Sequence, residues 1–282
     1  MSAVRILTSL IEYELRKSLA RKRILILLGV TFLLEVGIYL VLTRLPPTLL
    51  NPFSNVVWVV GIIAPSAGLL HILALTIGSA TSAEEYETGT ADYWFTRPIS
   101  RAQHFLGKTV GGIALLFIII LTYSLLSLAI AWYAFGPQAK VENLPTAVLV
   151  SLAAALPFYS VGLAFGEALR RSMMSTVLSG TVFFASALVE TYANIAANVG
   201  NDPSLLYAVR YLPTWAAAGI TSTVLLNSIG INLNTPGMGL FFAGVGSHNI
   251  VLALVNLLAY TSVPLTAAWI KFRYSDVTKR SQ

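Results

Sequence analysis

Gly107, Lys108 and Thr109 read like the end of a phosphate-binding loop, G-x-x-x-x-G-K-T, in which backbone N–H groups and the lysine cradle phosphate oxygens. The first glycine of that pattern would fall at Ala102, and no buried strand precedes it, so the match is accidental. The absence of cysteine excludes disulfides, thiolate metal sites and cysteine nucleophiles. Ser179 and Gly180 do not complete the G-x-S-G of an intramembrane serine protease, and the sequence has neither paired membrane aspartates nor aspartate clusters of the kind that hold Mg²⁺. What remains is Glu35, His71 and Glu190, set in otherwise apolar stretches, and one dense polar segment from 81 to 108. No second acidic residue or histidine stands at helical spacing from any of the three, so they do not make a metal site.

These side chains need elements to position them, and the composition says which. The chain has 282 residues, 56% apolar and 11% charged, against roughly 25% charged in a soluble domain. A bilayer core takes about 20 apolar residues per helix. The expected fold is therefore an all-α integral membrane protein with six spans, at Ile24 to Leu42, Val56 to Ala80, Phe105 to Phe135, Thr146 to Gly166, Met173 to Ala193 and Asn249 to Ile270. The loops then alternate sides. Fifteen Lys and Arg residues fall on the side of the termini, and only Arg44, Lys140 and Arg210 on the other. By the positive-inside rule both termini are cytoplasmic, in a multi-pass protein of the cell membrane without a cleavable signal peptide. The net charge of +6 thus belongs to span ends and membrane lipid, not to nucleic acid.

The segment 196–247 contains an apolar run around 215–229 that would serve as a seventh span, but this would put the basic C-terminus outside. Its Gly, Asn and Pro content instead suits short re-entrant or surface helices forming an external cap. Residues 1–23 place Val4, Leu7, Ile11 and Leu15 on one helical face and Arg5, Ser9, Glu12 and Arg16 on another, the pattern of an amphipathic helix in the cytoplasmic headgroup plane; a helix merely extending the first span is the alternative. Glu35, mid-span, costs roughly 2.5 to 3.5 kcal/mol to insert if charged. It lines a pathway or is a neutral carboxyl bonded between helices. Glu190 divides the same way, whereas His71 fits a hydrogen-bonded packing histidine better than a proton relay.

The loop joining spans two and three carries the most information. Ser82 with Glu85, and Ser100 with Gln103, read as capping boxes. Gly89 breaks the chain and Pro98 ends a helical reading near Thr96, so 90–96 should be a short crossing helix bearing Tyr93, Trp94 and Phe95. Glu84, Glu85 and Glu87 face Arg97, Arg101 and Lys108 across the hairpin, a pairing that would tie the loop together. Three adjacent aromatics need a lipid interface or a partner to cover them.

The EYELRKSLARKR pattern of the N-terminal helix, six spans, and a loop of the form E-x-x-x-G-T followed by R-P-I-S-R and a lysine together resemble the permease subunits of type-2 ABC transporters. The resemblance covers essentially the whole chain. It implies that the acidic element is Glu84, Glu85 and Glu87, the Gly-Thr is Gly89 and Thr90, the turn is Arg97, Pro98, Ser100 and Arg101, and the basic residue at the foot of span three is Lys108. It further implies that the loop, with Tyr93 and Trp94, couples to a separate ATP-binding subunit in two copies. ATP and Mg would bind that partner, with no cofactor in this chain, and the pathway would lie at the interface with a second permease copy, along spans one, two and five. Such permeases are mostly exporters. A membrane anchor or assembly factor using the same loop, and a secondary transporter using Glu35 and an ion gradient, are the competing readings.

Overall fold

A computed structural model describes residues 3–96, 99–200, 204–230 and 249–274. Among them the chain is helical, with no strand. Helix α1 (Ala3–Leu19) is followed by α2 (Lys22–Leu42), the short α3 (Pro47–Leu50), α4 (Trp58–Ser66), α5 (Leu69–Thr88), α6 (Thr90–Phe95) and α7 (Arg101–Phe135). Then come α8 (Leu144–Leu169), α9 (Ser172–Gly200), α10 (Leu205–Val209), α11 (Pro213–Ile229) and α12 (Ile250–Tyr274). Among the described residues five helices are long and apolar enough to cross a bilayer, and the bent α4–α5 pair is apolar enough to make a sixth span if it crosses as one.

The second crossing is not the single helix 56–80 that its hydropathy suggested. It bends by 50° between α4 and α5. Pro65 lies in the last turn of α4 and cannot donate its backbone hydrogen bond, and Gly68 follows in a non-helical conformation. α5 then runs to Thr88, so Ser82 and Glu85 lie inside a continuous helix and the expected capping box there does not form. The second box does. Ser100 accepts from the Gln103 backbone, Gln103 reaches back to the Ser100 N–H, and α7 starts. With 35 residues and about 1.5 Å rise each, α7 is some 52 Å long and overhangs a core of about 30 Å.

Small residues set how closely the crossings pack. On the α5–α8 seam a Cβ on Gly78 would meet the Tyr159 carbonyl oxygen, one on Gly162 the Leu75 carbonyl oxygen, and one on Gly166 would lie 2.9 Å from the Ser79 carbonyl oxygen. Backbones therefore approach as only small residues permit. Some of the polar groups at this depth are paired with each other: Ser66 with Tyr123 and Ser151, both 3.2 Å, and Tyr39 with Ser127 at 2.6 Å.

The two poles differ. One carries α1, the α5–α7 connection, the start of α9 and the end of α12, and is rich in Arg and Lys; we call it the basic end. The far end is closed by Gln138, which bonds the Trp58 N–H and the carbonyls of Ser54 and Gly136, and by α11. Of the two forms expected for 196–247, re-entrant or surface helices, α11 does not take the surface form: it is buried along most of its length against α4, α8, α9 and α12, because Ala216, Ala217, Gly219 and Ser222 give it a face small enough to insert. Residues 231–247 lie outside the described residues.

Candidate functional site

At about 100° per residue, the three glutamates at the end of α5 point to three different neighbours. Glu84 accepts from Arg21 Nε at 2.7 Å and Arg23 Nη2 at 2.9 Å, at the start of the first crossing. Glu85 turns to α7 and α1, 2.9 Å from Lys108 Nζ, 3.2 Å from His104 Nε2 and 3.6 Å from Lys17 Nζ. Glu87 accepts from the Ser172 backbone N–H at 2.8 Å, capping α9. Between them, Tyr86 donates to Glu167 at 2.9 Å and lies under the Arg170 guanidinium. One helix end thereby fixes five others, those of α1, α2, α7, α8 and α9.

The expected pairing across the hairpin is therefore mostly replaced. Of the three expected basic partners, Lys108 pairs with Glu85 of α5. Arg101 instead donates to the carbonyls of Phe272 and Arg273, tying α7 to the end of α12, and Arg97 and Pro98 lie outside the described residues. Arginines preceding and opening α2 take the place intended for the loop, since its first turn reaches Glu84 before the loop does.

α1 completes the cluster. Its buried stripe is Leu10, Glu14 and Ser18, continued by Arg21, while Leu7, Ile11 and Leu15 are only half-buried. A Cβ on Gly107 would lie 2.7 Å from Leu10 Cβ, and one on Gly111 2.8 Å from Glu14 Cβ, so the two glycines form the seat of α1 on α7. The helix thus rests on protein along this face, a correction to one lying only in headgroups. Arg21 links Glu14 (3.3 Å), Ser18 (2.9 Å) and the Ala80 carbonyl (3.3 Å). Burial pushes the Glu14 carboxyl above its ordinary value, and burial, aided by Lys108, pulls the Lys17 ammonium below its own.

Above this ionic layer sits α6. Gly89, at φ +70°, turns the chain out of α5 in a left-handed conformation that glycine adopts without strain, and Thr90 opens the new helix, its hydroxyl 3.0 Å from that of Thr88. The Trp94 ring packs edge-on against Tyr13 of α1 at 5.0 Å and beside His104 of α7 at 5.8 Å. Tyr93 is 54% exposed. The short crossing helix is thus pinned from below through one aromatic and presents another outward.

The intramembrane candidates do not converge. Glu35 is fully buried on the Thr31–Glu35–Tyr39 stripe of α2, and neither carboxylate oxygen has a hydrogen-bond partner among the described residues. His71 lies at tilted angles between Phe158 at 4.7 Å and Phe183 at 5.9 Å with both ring nitrogens unpartnered among the described residues, so it packs without the expected hydrogen bond. Glu190 is half-buried on α9, facing Thr214 of α11. No group of three or more His, Asp or Glu residues is placed to hold a metal among the described residues.

Sequence reasoning missed Tyr13, Glu14, Lys17, Arg21, Arg23, His104 and the Gly107 seat. The signals were present: Leu10, Glu14 and Ser18 recur every four residues, and Gly107-x-x-x-Gly111 is a close-approach pattern obscured by its likeness to a phosphate loop.

A helical bundle with five or six apolar candidate spans, a long internal connection folded as helix, short crossing helix and helix, and a docked N-terminal helix define a multi-pass membrane protein. The sequence matches the family described as ABC-2 family transporter protein over residues 8–277, and the chain belongs to that family as an ABC transporter permease. Members of the family are transport components that generally work with ATP-binding subunits. No curated protein is matched by the sequence.

Proposed function

We propose that this chain is the membrane-spanning half of an ATP-driven exporter, working as a dimer of permeases with two separate ATP-binding subunits. In this reading the basic end is cytoplasmic, and α6 docks on the ATP-binding subunit. The observation that carries it is the mounting of α6: six residues between two long crossings, held through Trp94 to α1 and α7 and exposing Tyr93. Packed helices move as units. A push on α6 is transmitted through Glu84, Glu85 and Glu87 to the ends of α2, α7 and α9 together, so these glutamates and Lys108 position the contact and do not touch the partner. Gly89, Thr90, Ser100 and Arg101 set the angles of the two connections. Of the intramembrane polar groups, half-buried Glu190 is free to face the pathway, while Glu35 and His71 are enclosed within this chain. Export is the direction supported by the resemblance to a family made mostly of exporters.

The test is association. Tyr93→Ala in the full chain, co-expressed with its ATP-binding subunit, is expected to weaken the complex about tenfold, the effect of losing an aromatic anchor worth ~1.4 kcal/mol. Unchanged association and unchanged ATPase stimulation would remove α6 from the contact.

A further inference from the structure

α9 and α12 both pack on α8, and between them the bundle leaves an apolar groove of about 970 Å³. Its floor is Val161, Ala164 and Ala168 of α8, and Val182 and Val263 stand on its walls. From Leu252 to Lys271, both at its lining, α12 rises about 28 Å, close to the thickness of a hydrocarbon core of about 30 Å. A groove of that length and composition in a bilayer is filled by acyl chains.

The far end of the groove is not apolar. Asn256 is buried there, 8% exposed. Its amide nitrogen donates to the carbonyls of Arg210 at 3.0 Å and Leu212 at 3.2 Å, which fixes the side-chain orientation. Its oxygen is left with no hydrogen-bond donor among the described residues. A buried acceptor in that condition calls for a donor from outside the chain. Beside it Arg210 lies over the Tyr207 ring at 4.5 Å and forms no ion pair with a carboxylate among the described residues. Among the described residues one lining side chain therefore lacks a carboxylate partner and another lacks a hydrogen-bond donor, at the mouth of an acyl-shaped groove. Lys271 marks the opposite end but is exposed, so the headgroup position is at Arg210, beside the buried Asn256.

We propose that this groove is a binding site for an anionic glycerophospholipid with a hydroxylated headgroup. The phosphate pairs with Arg210, a headgroup hydroxyl donates to Asn256 Oδ1, and an acyl chain runs along α8 between α9 and α12. The occupant is a bilayer lipid, because a soluble phosphate would leave the groove itself unfilled. The proposal stands apart from the coupling reading, since it needs neither ATP nor a partner subunit.

The experiment is lipid retention by the purified full chain, measured by native mass spectrometry after equilibration with phosphatidylglycerol and phosphatidylcholine of matched acyl chains. A preference for phosphatidylglycerol above about fivefold, the weight of one cation at a charged bilayer surface, is expected. Arg210→Gln is expected to bring the preference to about unity. Lys140→Gln, which removes a cation at the same pole away from the groove, is expected to leave it intact. Ala259→Trp, at an exposed groove position, is expected to lower retention of both lipids. Glycerol 3-phosphate without acyl chains is expected not to displace the lipid. Equal retention of the two lipids by the unsubstituted protein, an undiminished preference in Arg210→Gln, an equal loss in Lys140→Gln, or displacement by glycerol 3-phosphate overturns the proposal. If Ala259→Trp does not fold, the arginine and lysine pair decides alone.

Discussion

Replacing Glu85 by Ala removes the one carboxylate that three basic side chains of the cluster share. Its side chain is 3% exposed and that of Lys108 is 6% exposed, at 2.9 Å. At an effective dielectric near 20 the gross attraction over that distance is about 6 kcal/mol, and desolvating the two ions costs several kcal/mol each. The pair as such is thus close to neutral, but Glu85→Ala leaves Lys108 buried and uncompensated, with Lys17 3.6 Å from the lost carboxylate. Loss of one partner of a buried pair costs about 3 to 5 kcal/mol. Lys108→Met alone orphans the carboxylate by the same logic, while Glu85→Ala with Lys108→Met removes both charges and is expected to cost at least about 2 kcal/mol less than the sum of the singles. The assay is unfolding of the purified protein followed by tryptophan emission, with Trp94 reporting locally because its ring contacts His104. Additive losses, or a Glu85→Ala protein as stable as the parent, would refute the claim that Glu85 neutralises a buried lysine.

Two further outcomes follow from the same pole. Gly111→Val places side-chain atoms where Glu14 Cβ now sits, and overpacking of this kind costs about 1 to 3 kcal/mol; it is expected to release α1, read as faster proteolysis within residues 1–21, whereas unchanged protection would contradict the seat. Glu14 has a folded pKa raised above its ordinary 4.5 by burial, so the fold favours its protonated form. Its contribution to stability is complete below the ordinary value and is lost as pH rises through the folded one. Glu14→Gln is expected to flatten that decline in a denaturation series against pH, and an unaltered slope would assign the decline elsewhere.

Much of this architecture was legible because hydropathy and charge asymmetry are long-range signals averaged over 20 residues. The short helix at 90–95 and the start of α7 were also legible, since Gly89 and the Ser100–Gln103 box act locally. Helix-to-helix pairing was not. Nothing in the spacing of Glu84, Glu85 and Glu87 says that they diverge to three neighbours, because that depends on α5 continuing unbroken to Thr88 and on Arg21 and Arg23 arriving beside it. Glu14 was invisible for the opposite reason. A carboxylate on an apparently amphipathic surface helix reads as solvated until Gly111 shows where its stripe rests. The bend at Pro65 and Gly68 was readable as a kink but not as a break, since either residue alone is tolerated within a crossing.

The account depends most on α6 meeting an ATP-binding subunit. Because the chain has no cysteine, Tyr93→Cys gives a single reactive thiol, and Tyr133→Cys, at a position 94% exposed at the other end of α7, gives its control. With a photoreactive benzophenone maleimide in native membranes, which couples to the thiol and on illumination inserts into C–H bonds of whatever lies beside it, Cys at position 93 is expected to cross-link to the co-expressed ATP-binding subunit and to be protected from labelling when ATP and vanadate lock the complex. Cys at position 133 is expected to do neither. Cross-linking from 133 and none from 93 would contradict the orientation and the coupling role together.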